Sequence, residues 1–309
     1  MPHVRVLDWG DWVDCGDWVD SFTKMADDKT RVRAALRLPE GQSLPDLRIV
    51  PRAQVHLHED TDPTRVQRLV TALRADGILR NPPIAAPLAG DGFVVLDGAN
   101  RTSALLALEA PMLLLQVVDY EDPAVKLDVW SHLLTQPVDL PALLRAKGLS
   151  LQDVDPTVAS RRLSGRTAAC YVLTSALAFE VSTSPHRSLA ATLSAVVDAY
   201  KPSNRIYRVM NTDLGALREE YGSVAALVVF PTFTKRDIVD IARTQVKLPT
   251  GISRHLIPGR ALRVNIPLDV LISPGGIDQK NRWMAEEIHR RLLENRIRYY
   301  PESSFLFDE

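Results

Sequence analysis

Cysteine is nearly absent from this chain. Only Cys15 and Cys170 occur in 309 residues, far apart and without a CxxC pair, which argues against a disulfide framework and against a thiolate zinc site. Long apolar runs are missing as well. Stretches such as residues 111–118 fall far short of the roughly 20 residues that a membrane helix needs. The N-terminus, Met1-Pro2-His3-Val4-Arg5, leads into an Asp- and Trp-rich stretch and not into an apolar signal segment. There is no surplus of basic charge either: 37 Lys and Arg stand against 38 Asp and Glu, a net charge of -1. Non-specific DNA binding draws its affinity from such a surplus, so the charge balance counts against it as the main activity. What is present, 46% hydrophobic and 24% charged residues, is the balance of a folded globular chain of about two domains. These features predict a soluble, cytoplasmic, reduced protein without a membrane partner.

The first 45 residues differ from the rest. GDWVD occurs twice, at residues 10–14 and 16–20, a repeat too short for a solenoid. Trp9, Trp12 and Trp18 either pin an acidic extension to the folded body or anchor a docking or lid segment. From Leu47 the pattern turns regular. Strands are predicted over 47–51, 55–58, 93–96 and 113–119. A helix is predicted over 63–75, where Val66, Leu69, Val70 and Leu73 recur at i, i+3, i+4 and i+7, with Gly77 at its end; a second spans 100–108. Together they make one layered β-α-β-α-β unit. Beyond it, helices over 138–147, 156–163, 188–199, 212–221 and 235–245 mix with strands over 169–174, 179–181, 206–210 and 225–230. That alternation predicts a second α/β layer, and a long helix follows over 279–295. Residues 140–166 have some of the rhythm of a helix-turn-helix, with Arg161, Arg162 and Arg166 suited to phosphates, but a strand follows where a third helix is needed.

Three clusters carry candidate chemistry. In Val94-Val95-Leu96-Asp97-Gly98-Ala99-Asn100-Arg101-Thr102 a buried strand ends in Asp-Gly and a helix begins at once. Unpaired N–H groups at a helix start favour an anion, and Arg101 adds a forked donor for phosphate. Asp97 would hold a hydrated Mg²⁺, or it merely caps the helix. His56-Leu57-His58-Glu59-Asp60 closes a strand: it offers metal ligands, or Glu59 as a general base, or a solvated loop. Residues 247–258 bring hydroxyls, Lys247, Arg254 and His255 into a proline-bracketed loop, which is either an anion or carboxylate clamp or bare solvated chain.

In their order, these clusters resemble the ParB-like (ParB/sulfiredoxin fold) family, and within it the free L-serine kinase branch that includes enzymes of siderophore biosynthesis. The match runs from about Leu47 to Leu271. It includes the His-Glu pair, Gly77-Ile78 with Pro82 after it, the Asp-Gly-x-x-Arg turn, Val118-Asp119-Tyr120 with Trp130 beyond, and Arg254-His255 followed by Pro258. The resemblance implies an α/β (α+β) fold with a ParB/sulfiredoxin-like nucleotide-binding unit over 46–135 and a second α/β substrate domain over 136–278. The active cleft would lie between them, flanked by an extension over 1–45 and a helix and tail over 279–309. It implies phosphorylation of free L-serine, or a related hydroxy amino acid, with ATP or ADP as donor and Mg²⁺ as cofactor. By the same resemblance Glu59 is the catalytic base; Asp97, Gly98, Asn100, Arg101 and Thr102 bind nucleotide phosphates, with Asp97 at the metal. Trp130, Thr250, Ser253, Arg254 and His255 contact the substrate. The family's usual Asp-Gly-His-His-Arg turn is Asp-Gly-Ala99-Asn100-Arg101 here, which removes two imidazole contacts while Asn100 keeps one donor. That change admits an alternative, a nucleotide- or DNA-binding regulator without transferase chemistry. Sulfiredoxin chemistry is excluded, because the turn holds no cysteine.

Overall fold

The computed structural model describes residues 43–90 and 92–300; the GDWVD repeats and their tryptophans lie outside them. The first layer comprises β1 (Asp46–Pro51), β2 (Val55–Leu57), α1 (Pro63–Asp76), β3 (Ile78–Leu79), β4 (Ile84–Pro87), β5 (Phe93–Asp97), α2 (Ala99–Ala107) and β6 (Met112–Val117). α1 begins where the Asp62 carboxylate accepts from the Thr64 and Arg65 N–H groups at 2.9 and 3.2 Å, with Pro63 in the first turn. Both features offset the unpaired donors of a helix start. Its apolar stripe buries Val70 and Leu73 against Ile49, Leu105, Leu113 and Leu114.

Five strands form one sheet in the order β1-β6-β4-β5-β2. β2 runs parallel to β5 and β4 parallel to β6, while the β1–β6 and β4–β5 pairs are antiparallel. The predicted β-α-β-α-β pattern lacks β3 and β4. β4 reads Ile-Ala-Ala-Pro behind Pro82-Pro83, with neither alternation nor a β-branched run to announce it. It nonetheless sits inside the sheet, with Ala85 and Ala86 fully buried.

The second layer comprises β7 (Lys126–Val129), β8 (Ser131–Leu134), α3 (Leu140–Ala146), β9 (Leu151–Asp153), α4 (Pro156–Ser164), β10 (Ala168–Leu173), β11 (Ala178–Ser182), α5 (Leu189–Tyr200), β12 (Ile206–Val209), α6 (Leu214–Tyr221), β13 (Ala226–Val229) and α7 (Lys235–Ala242). Six of these strands make an antiparallel sheet, β12-β8-β13-β10-β11-β9. β8, grouped by sequence with the first unit, is an inner strand here. β9 separates α3 from α4 and pairs with β11, so the segment with helix-turn-helix rhythm is a helix, a strand and a helix. The last elements are β14 (Ser253–Leu256), β15 (Ile266–Pro267), α8 (Leu268–Ile272) and α9 (Ile277–Leu293).

Ala86, Val94 and Leu96 of the first sheet and Val172, Phe179 and Val228 of the second belong to one continuous apolar cluster. The two layers are therefore welded through a shared core. α9 returns to the first sheet: the Asn281 amide donates to the Ile49 carbonyl and accepts from the Ile49 N–H, both at 2.8 Å. A side chain that satisfies both polar groups of an edge residue covers part of that edge. No helix among the described residues is long and apolar enough to cross a membrane.

Candidate active site

The parallel pairing of β2 with β5 assembles the site. His56 lies opposite Val94 and Leu57 opposite Val95, so both strands leave the sheet at the same end. Two residues further on, one chain presents Glu59 and the other Asp97. Both line a cleft of about 1050 Å³.

On the β5 side the chain turns through Gly98 into α2. Gly98 has φ +93, and a Cβ there would lie 3.0 Å from Arg101 Nη2 and 3.1 Å from Pro83 Cα. Only glycine fits such a left-handed, crowded position without strain. Asp97 Oδ2 accepts from Arg260 Nη1 at 2.8 Å and from Arg101 Nη2 at 3.2 Å, and Arg101 Nη1 donates to the Asn81 carbonyl at 3.0 Å. Asn100 also lines the cleft, and its Oδ1 accepts from the Asp62 N–H at 2.9 Å. Thr102 corrects the sequence expectation. It is fully buried, its hydroxyl donates to the Gly98 carbonyl at 3.1 Å, and its N–H serves the same carbonyl. Both donors are consumed inside the helix, so neither is left for phosphate.

On the β2 side the chain is zipped to residues 248–253. Leu248 N–H donates to the His58 carbonyl, Asp60 N–H to the Leu248 carbonyl, and the Thr250 hydroxyl to the Asp60 carbonyl. Glu59, mostly buried, accepts from Ser253 N–H at 2.9 Å, from Ser253 Oγ at 2.5 Å and from Gly251 N–H at 3.3 Å. Behind it His58 lies buried, with Nδ1 2.7 Å from the Val95 carbonyl and Nε2 2.8 Å from Ser253 Oγ. Burial holds its imidazole below the ordinary range, against the pull of Glu59.

The proline-bracketed segment is not a loop throughout. Its residues Ser253–Leu256 form β14, antiparallel to β7, and Trp130 N–H donates to the Ile252 carbonyl at 2.8 Å. Strand structure fixes each side chain's part. The Arg254 guanidinium stacks over the Trp130 ring at 4.5 Å. His255 is buried in the cleft wall, its Nε2 2.8 Å from the Tyr120 hydroxyl, and burial pushes its pKa down to about 3. It is therefore a neutral wall residue and brings no cation to a phosphate. Lys247 turns away: its Nζ caps the end of α7, donating to the Ala242 carbonyl at 2.9 Å. Among the described residues no three His, Cys, Asp or Glu side chains converge, at the His56–Asp60 cluster or elsewhere.

The cleft also holds Arg65, Arg68, Arg80, Arg208 and Arg260, which sequence reasoning missed. Arg65 and Arg68 read as the solvated face of α1, and nothing in the chain pattern marked Arg208 or Arg260. Arg208 reaches in from β12 and crosses Gly251 so closely that a Cβ on that glycine would stand 2.0 Å from its Nη2. Leu69, Ala72, Leu73, Ile78 and Leu262 add apolar lining. The cleft thus combines apolar lining, several arginines and a carboxylate held by backbone donors, a composition suited to a nucleotide beside a small polar acceptor.

Comparison with known proteins agrees with that class. The chain is 20% identical over 266 residues to the ATP-dependent L-serine kinase SbnI of Staphylococcus aureus, covering 85% of this chain and 97% of the relative. It is 24% identical over 227 residues to the ATP-dependent L-serine kinase of Staphylothermus marinus, covering 69% and 86%. A solved free serine kinase in complex with AMP superposes with a TM-score of 0.66 at 15% identity, over 75% of this chain and 98% of that one. SbnI with a C-terminal truncation, from Staphylococcus aureus, gives 0.64 at 19%, over 81% and 96%. No family model matches the chain. The mixed α/β fold is that of the free serine kinases.

Proposed function

We propose that the protein is a free serine kinase, transferring the γ-phosphoryl group of ATP to the hydroxyl of L-serine to give O-phospho-L-serine and ADP. The observation that carries this is the convergence of Glu59 and the Asp97–Arg101 turn on one cleft with Ser253 and Arg254. The homologues named as ATP-dependent L-serine kinases support it. In the reaction the serine oxygen forms a bond to the γ-phosphorus, the bond to the bridging oxygen of ADP breaks, and the hydroxyl proton passes to Glu59. Phosphoryl transfer asks mainly for positioning and charge neutralisation. The N–H groups at the start of α2, Arg101 and Arg260 supply these for the phosphates, and Arg254, Thr250 and Trp130 border the acceptor. We assign the apolar lining at Leu69 and Ile78 to the base of the nucleotide, and the first layer, β1 to β6, to nucleotide binding.

Asp97 fits a nucleotide-borne Mg²⁺. Its Oδ2 is engaged by two arginines, while no hydrogen bond from the described residues reaches Oδ1. Mg²⁺ needs only one or two carboxylates when phosphates and water complete its shell. When bound, the ion would neutralise charge building up between the β- and γ-phosphates. The test is phosphoserine formation from serine, ATP and Mg²⁺ with the wild type and Glu59→Gln. The variant keeps the shape and loses the base, and its kcat is expected to fall by about 10²–10⁴-fold. No phosphoserine from the wild type, or full activity in the variant, would refute the assignment.

A further inference from the structure

The contacts around Glu59 hold a proton deficit. The Val95 carbonyl can only accept, so the 2.7 Å contact fixes the proton of a neutral His58 on Nδ1 and leaves a lone pair on Nε2. That lone pair faces Ser253 Oγ at 2.8 Å, and the same Oγ faces Glu59 Oε1 at 2.5 Å. Ser253 has one hydroxyl proton for two acceptors. With Glu59 ionised and His58 neutral, one of these short contacts always brings lone pair against lone pair. One additional proton resolves both contacts: either His58 Nε2–H donates to Oγ while Oγ–H donates to Glu59, or a protonated Glu59 donates to Oγ while Oγ–H donates to Nε2.

We infer that His58, Ser253 and Glu59 form a proton-holding chain that is complete only when it carries the proton given up by the acceptor hydroxyl. This rests on the kinase function proposed above. As the serine O–H bond breaks and the oxygen bonds to phosphorus, the proton arrives on Glu59. Glu59 passes a proton to Ser253 Oγ as Oγ passes its own to His58 Nε2, so the charge is shared and no other reactant is needed. After product leaves, the proton returns to water through the cleft. Ser253 and His58 act through Glu59 and are positioning residues. The charged and titratable groups facing the chain are Lys247 and Asp60 beside β2, His255 of β14, whose ring meets that of His58 edge-on at 5.3 Å, and Arg208 of β12. Apart from Lys247, which is spent on α7, the cations are on the cleft side. His58, 3% exposed and hydrogen-bonded inward to the Val95 carbonyl, is the proton's inner terminus, with the neutral His255 ring beside it.

The experiment has two arms. In the first, the pH profile of single-turnover transfer from ATP to serine is measured for wild type, His58→Gln, Ser253→Ala and Ser253→Thr. The acid limb reports uptake of the extra proton by the whole chain. Its midpoint is expected to move by at least half a pH unit in His58→Gln and Ser253→Ala, with a tenfold or greater loss of rate. Ser253→Thr, which keeps a hydroxyl, is expected to retain the wild-type midpoint, and the KM for ATP to stay unchanged in all three. An unmoved midpoint in both Ser253→Ala and His58→Gln overturns the inference, and Ser253→Ala suffices if the buried histidine variant fails to fold. In the second arm, ring-nitrogen NMR of His58 in the free protein is expected to show Nδ1 protonated throughout and Nε2 titrating in a step that Glu59→Gln displaces. An unprotonated Nδ1, or an undisplaced step, also overturns it. A coupled titration together with no phosphoserine would sink the kinase function and leave the chain standing.

Discussion

Gly251→Ala separates a backbone cost from a loss of function that the same residue controls. Gly251 has φ +82, and a Cβ would meet Arg208 at 2.0 Å from Nη2 and 2.3 Å from Cζ and Nε. The left-handed backbone alone costs a residue with a side chain about 1–2 kcal/mol. Gly148 is the control: φ is +71 and a Cβ there meets nothing within 4 Å, so Gly148→Ala is expected to lose only that amount. The collision at Gly251 involves the far end of a flexible side chain, so it is relieved by displacing Arg208 and not by unfolding. Displacement withdraws a cation from beside Glu59 at the acceptor end of the cleft. A hydrogen bond to a charged group is worth about 1.5–3 kcal/mol, so the KM for serine is expected to rise roughly ten- to a hundredfold at about 1.4 kcal/mol per decade. Urea denaturation and steady-state kinetics on the two variants decide it. If Gly251→Ala matches Gly148→Ala in stability and leaves the KM for serine unchanged, Arg208 does not serve the acceptor.

Arg101→Ala removes one of the two arginine partners of Asp97 and a donor from the proposed phosphate turn. ADP affinity, read by calorimetric titration, is expected to fall about tenfold or more, and unchanged affinity would exclude Arg101 from the nucleotide site. Stability should also depend on acid pH through two buried histidines: burial pushes His132, 2.7 Å from the Tyr200 hydroxyl, down to about 4, and His255 down to about 3. Both bind protons more weakly folded than unfolded, so their contribution is complete above about pH 6.5. It is lost at about 1.4 kcal/mol per pH unit for each as pH falls toward 4. Urea midpoints that stay flat from pH 7 to 5 would contradict this.

The parts legible in the sequence were those with local signals. α1 announced itself by its apolar period and by Gly77 at its end, and the Asp-Gly turn by a buried strand running into a helix. β14 was not legible, because its four residues are Ser-Arg-His-Leu and its partner β7 lies far away in the chain. The same holds for the site. Glu59 and Asp97 stood out by chemistry at strand ends, but Glu59 meets Ser253 across 194 residues, and only the parallel β2–β5 pairing decides that the two carboxylates share a cleft. The misreadings at Thr102 and Lys247 have one cause. Each is a polar residue at a suggestive position whose donors are consumed internally, by a helix carbonyl at Thr102 and by a helix end at Lys247.

Asn100 bears on how this turn binds phosphate. In the proteins it resembles the turn reads Asp-Gly-His-His-Arg, and two imidazoles are missing here. The second of those positions has a different role in this structure, where Asn100 Oδ1 accepts from the N–H of Asp62, the residue that caps α1. That bond ties the start of α2 to the segment carrying Glu59, so the phosphate turn and the base are stitched together by a side chain at the cleft floor. An amide whose oxygen is occupied has only its NH₂ group left to donate, and Ala99 offers no polar side chain at all. For the phosphate site proposed above, the donors left at this turn are the backbone N–H groups at the start of α2 and Arg101. Backbone donors do not titrate, so a nucleotide bound at the proposed site would meet none of the imidazole protonation that a His-His pair would impose. In the proposed kinase the groups left to shape a pH profile are those on the other wall of the cleft, where His58 and Ser253 face Glu59.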